Sequence, residues 1–99
     1  MTVVEIVRDI RAHINKCGAG PYGWYVGIAA DPKDRLFNDH QVSERNGAWI
    51  HRPANSSASA RKAEKQLLED GHEGGSGGGD ENTTHVYAYK ITASTDENA

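Results

Sequence analysis

Val3, Ile6, Val7, Ile10, Ile14 and Cys17 fall on one arc at helical spacing. The chain therefore opens with an amphipathic helix, predicted over about residues 3–16, whose stripe has to be buried against something else. Thr2 and Glu5 have capping-box spacing, and Gly18 with Gly20-Pro21 ends the run. Ninety-nine residues allow one small core and no second one. The helix must share that core with every other element, and it carries packing rather than chemistry.

Those other elements are short. GWYVGIA (23–29) reads as a strand with Trp24, Val26 and Ile28 on one face and Tyr25, Gly27 and Ala29 on the other. Asp31-Pro32 starts a helix predicted to run to about Gln41, with Leu36, Phe37 and His40 on one side and Arg35 and Asp39 paired on the other. SERNG (43–47) is a turn, and residues 48–52 form a short strand stopped by Pro53. Asn55-Ser56-Ser57 caps a helix over about 58–70 with Ala60, Ala63, Leu67 and Leu68 as its stripe. Residues 71–84 form a loop rich in glycine. It lacks the Gly-Lys-Ser/Thr of a P-loop. Residues 85–92 are a last strand, with Tyr87, Tyr89 and Ile91 pointing one way. Residues 93–99 read as a disordered polar tail. The expected fold is a single α+β domain over 1–92: a small three-stranded mixed or antiparallel sheet with about three helices packed on it.

Charge divides the chain unevenly. Residues 1–32 are neutral, 33–65 hold seven basic and four acidic groups, and 66–99 hold Lys90 against seven acids. The net charge of −3 argues against coating nucleic acid by bulk charge, although the basic middle, with Arg35, Arg45, Arg52, Arg61 and Lys62, is suited to phosphate contact. The plain alternative is a solvated face. One cysteine excludes an internal disulfide, and five scattered histidines give no zinc pattern. No apolar run spans a membrane and no leader opens the chain, so a cytoplasmic domain without a membrane partner is expected.

Glu64 is the most informative residue, because a carboxylate inside an apolar stripe is unfavourable unless it is paired or bound. The alternative is a glutamate at the stripe's edge reaching water. Together with the tyrosines and Arg35 it suits phosphodiester chemistry. A carboxylate holds a hard cation, an arginine meets developing charge, and a tyrosine takes a proton from water.

Tyr25-Val26-Gly27, Arg35 in the following helix and Ala60-Arg61-Lys62-Ala63-Glu64 together resemble the second half of the GIY-YIG nuclease motif, over about residues 23–70. The resemblance implies Tyr25, Gly27, Arg35 and Glu64 at the site, with Mg²⁺ on Glu64 and DNA or RNA as substrate. The family's first strand is missing before Tyr25. The last strand, 87–91, fills that place by a circular rearrangement, with Tyr89 as the equivalent of the GIY tyrosine. Ile28 stands where the family has a polar group. His40, five residues after Arg35, is expected on the opposite side of its helix, and the family's helix histidine is not carried onto it. Three readings stay open: an active metal-dependent nuclease, a non-catalytic module of the same fold that binds nucleic acid, and a protein-interaction domain using Trp49, Tyr87 and Tyr89. For Trp49 an ordinary packing role is preferred.

Overall fold

The computed structural model describes residues 1–75 and 79–98. Helix α1 spans Val3–Cys17 and opens with the predicted capping box. The Glu5 N–H donates to the Thr2 hydroxyl at 3.2 Å and the Thr2 N–H to the Glu5 carboxylate at 2.9 Å. Strand β1 is Trp24–Ala29. Helix α2 covers Pro32–Asp34, capped by Asp31, and passes directly into a π turn over Arg35–Asp39. Strand β2 is Trp49–Pro53, α3 is Ser57–Glu69 capped by Ser56, and β3 is His85–Lys90.

The sheet is antiparallel throughout and its order is β1-β3-β2, so the last strand in the chain is the central one. The composition of β3 explains this. Val86 and Ala88 are apolar on one face and Tyr87 and Tyr89 aromatic on the other, and all four are buried. Pro53 ends β2 instead of stopping it one residue earlier. β2 is an edge strand, where a missing N–H is tolerated.

The two faces divide by parity. Trp24, Val26, Ile50, Val86 and Ala88 point to one side, where the α1 stripe and α3 cover them. Ala60 and Ala63 are fully buried there. On the other side Tyr25, Ala29, Tyr87 and Tyr89 form a second cluster with Leu36, Val42 and Ile91.

Two stretches predicted as irregular are tied down. Glu73 pairs in parallel with the free edge of β1: its carbonyl accepts from the Val26 N–H at 2.8 Å and its N–H donates to Trp24 at 2.9 Å. A Cβ on Gly74 would lie 2.5 Å from the Val26 carbonyl oxygen, so glycine is what lets this strip approach. Residues 76–78 of that loop lie outside the described residues. The segment 93–98, expected as a disordered tail, is instead held by specific bonds. The Asp96 N–H donates to the His40 carbonyl at 2.7 Å, and Glu97 receives a hydrogen bond from the Tyr89 hydroxyl at 2.9 Å. Composition marks such a segment as polar but does not reveal these long-range partners. Residue 99 lies outside the described residues.

Candidate functional site

Gly27 faces Tyr87 across the sheet. A Cβ at Gly27 would stand 2.4 Å from the Tyr87 hydroxyl oxygen, so the phenol lies directly over this glycine and occupies the space a side chain would take. Two residues earlier, Tyr25 stacks on Tyr89, with centroids 5.3 Å apart, and lies tilted against His40 at 4.7 Å.

The π turn delivers Arg35. Its guanidinium donates to Asp39 at 2.7 Å, the predicted pairing, and interacts electrostatically with Tyr87. Glu64 comes from α3 and is 6% exposed. Burial pushes its carboxyl up to about 7, with Arg61 opposing. No hydrogen bond from the described residues reaches that carboxylate. Burial pushes the Tyr87 hydroxyl up to about 12, Arg35 pulls it down, and Tyr25 and Glu64 both act on it by charge. Tyr25 and Tyr87 share one cluster with Leu36 of the π turn, whereas Glu64 comes from α3, whose buried apolar residues pack on the opposite face of the sheet.

The fourth member is Tyr87 and not Tyr89. Register decides this: Tyr89 faces Tyr25, whereas Tyr87 faces the one position without a side chain. The Tyr89 ring is fully buried; its hydroxyl donates to Glu97 at 2.9 Å and lies 3.1 Å from His40 Nδ1. Burial and the Glu97 carboxylate hold that phenol in its protonated form.

His40 belongs to the site, contrary to the sequence reading. In an α-helix a residue five positions on points away. Here the Arg35 carbonyl accepts from the His40 N–H at 2.8 Å, the i→i+5 bond of a π turn, and the wider turn brings residue 40 back under residue 35. The imidazole is fully buried. Its Nδ1 is 2.7 Å from the Asp96 carbonyl and its Nε2 is 2.8 Å from the Tyr87 hydroxyl. Burial lowers its pKa and Arg35 lowers it further, against the Asp96 carbonyl, Asp39 and Glu97. The one sequence signal for this residue was a histidine on the apolar side of its helix, shared with Leu36 and Phe37.

The other cations are dispersed. Arg52 lies on the helix-covered side of the sheet, where it donates to Asp9 at 3.1 Å and to the His51 carbonyl at 2.8 Å. Parity along β2 removes it from the site. Arg61 donates to the Gly79 carbonyl at 3.1 Å, at the far end of the glycine loop. Arg45 and Lys62 are exposed. Trp49 packs edge-on against Phe37 at 5.1 Å and donates to the Glu44 carbonyl at 3.1 Å, a packing role.

No group of three or more His, Cys, Asp and Glu that could hold a metal occurs among the described residues. Magnesium needs less: it is held by one or two carboxylates, its own waters and substrate phosphate oxygens. A desolvated carboxylate without a hydrogen-bond donor among the described residues fits that role, because a cation would offset the cost of burying its charge. No helix among the described residues is long and apolar enough to cross a membrane. Comparison with protein-family models, with curated proteins and with solved structures finds no match to this chain.

Proposed function

We propose that this protein hydrolyses phosphodiester bonds of nucleic acid in a GIY-YIG-like site assembled from a rearranged strand order. The observation that supports the reading is the Tyr87 hydroxyl, held over Gly27 on the sheet face that also carries Tyr25, with Arg35 and Glu64 both acting on it by charge. Arg35 presents a permanent positive charge to a phosphate oxygen, where negative charge grows as the bond to phosphorus forms. Tyr87 and Tyr25 offer hydroxyls to orient a water for in-line attack. A divalent cation on Glu64 would neutralise the scissile phosphate and the leaving oxygen.

The test is incubation of the purified chain with double-stranded DNA, single-stranded DNA and structured RNA in Mg²⁺ or Mn²⁺. Cleavage is expected with the wild type. Loss of about 10²–10³-fold is expected on Arg35→Ala, the cost of removing one charge-stabilising donor. Glu64→Gln should abolish the metal-dependent rate. A wild type that cuts none of these polymers with either ion overturns the proposal.

One observation favours a second reading, in which the cleft binds nucleic acid without cutting it. Arg35 already shares its charge with Asp39, and the Tyr87 hydroxyl is held well above neutrality. Binding that falls steeply with salt, together with no cleavage, would select this reading.

A further inference from the structure

We infer that the carboxyl-terminal segment is a working part of the site: the Asp96 backbone fixes the tautomer of His40 and so commits Nε2 to receive the Tyr87 hydroxyl proton. The hydrogen-bond network leaves one assignment. Nδ1 faces two oxygens, the Asp96 carbonyl at 2.7 Å and the Tyr89 hydroxyl at 3.1 Å. A carbonyl only accepts. The single Tyr89 proton is already directed to the Glu97 carboxylate at 2.9 Å. Nδ1 therefore carries the hydrogen. A neutral imidazole has only one, so Nε2 presents its lone pair to Tyr87 at 2.8 Å. The Tyr87 O–H is therefore the donor in this bond and points at Nε2.

Five groups besides Tyr87 bear on the charge of His40. Arg35 and Asp39 come from its own element, Tyr25 from β1, Tyr89 from β3 and Glu97 from the terminal segment. Burial and Arg35 favour the neutral ring. The backbone holds the segment in place from both sides, because the Asp96 N–H donates to the His40 carbonyl while the Asp96 carbonyl accepts from the His40 ring.

The inference rests on the phosphodiester reading for its chemistry. In the step, a water O–H bond breaks and its proton passes to the Tyr87 oxygen as the Tyr87 proton passes to His40 Nε2. The water oxygen bonds to phosphorus, and the bond from phosphorus to the leaving oxygen breaks. Solvent protonates that oxygen and later accepts the extra proton from the imidazolium. His40 is thus a positioning residue acting through Tyr87.

The test is ¹⁵N NMR of the histidine rings in the full chain, without substrate. The expected His40 signature is a pyrrole-type Nδ1 and a pyridine-type Nε2. Tyr87→Phe should keep it, because Asp96 still holds Nδ1. Asp96→Pro combined with Glu97→Ala removes the N–H that anchors the segment and the acceptor of Tyr89, and the two ring nitrogens should then average. A wild-type ring protonated on Nε2 overturns the inference, as does an unchanged tautomer in the double variant. The wild-type spectrum decides even if the double variant does not fold. A wild type that cuts nothing removes the phosphodiester reading, while the tautomer is still decided by the spectrum.

Discussion

Gly27 is where a single atom would matter most. A methyl group there collides with the Tyr87 hydroxyl, and a ring wedged between strand and helix cannot swing aside as a flexible chain end would. Gly27→Ala is expected to destabilise by about 1–3 kcal/mol, the usual cost of overpacking, in spite of alanine's better strand propensity. Tyr87→Ala removes the ring that would be struck, so the double variant should lose less than the sum of the two single variants in chemical denaturation. An additive result would mean that the ring does not lie over the glycine. At this scale the sequence was informative about Tyr25, Arg35 and Glu64, because each carries its chemistry on its face: a strand tyrosine beside a glycine, a helical arginine, a carboxylate in an apolar stripe. It was silent on the choice between Tyr87 and Tyr89. Both lie on the same face of one strand, and only the register against β1 separates them.

Elements with their own start and stop signals were legible. The Thr2 capping box, the Asp31-Pro32 entry and the Ser56 cap all stand at the observed helix starts. What no local rule announced is the π turn over Arg35–Asp39, one residue wider than the α turn that spacing predicts. That extra residue places His40 beneath Arg35. Deleting Asn38 should let the turn close as ordinary α-helix and rotate His40 by about 100°. Circular dichroism should then show a folded protein, while the ring signals of His40 lose their contact with Tyr87. Retention of that contact after the deletion would show that the turn does not position the ring. The terminal segment was equally hidden, since its partners Tyr89 and His40 lie far away in sequence and a polar composition alone reads as a tail.

For the molecule as a whole, the buried His40 and Glu64 pull stability in opposite directions with pH. His40 is kept neutral by burial, so its folded pKa lies below the unfolded value. Its contribution is complete above the unfolded pKa near 6.5 and is lost as the pH falls below it. Glu64 behaves oppositely. Its folded pKa of about 7 exceeds the ordinary carboxyl value of 4.5, so the folded form loses stability as the pH rises between them and stays penalised above. Glu64→Gln removes that penalty. Its gain over the wild type should be absent near pH 4 and approach roughly 3 kcal/mol above pH 7, at about 1.4 kcal/mol per pKa unit. Added Mg²⁺ should narrow the gap by stabilising the wild type alone. Equal stabilities of the two proteins across this range would place Glu64 in water.

That carboxylate also offers the most direct test of the central claim, that one cation-binding cleft joins Glu64, Tyr25, Arg35 and Tyr87. Mn²⁺ added to the isotope-labelled full chain should broaden the NMR signals of Glu64, Tyr25, Gly27 and Tyr87. It should spare those of His13 and Cys17, which belong to α1. Glu64→Gln should abolish the effect. Broadening centred on other acids, or persisting unchanged in Glu64→Gln, would contradict the account.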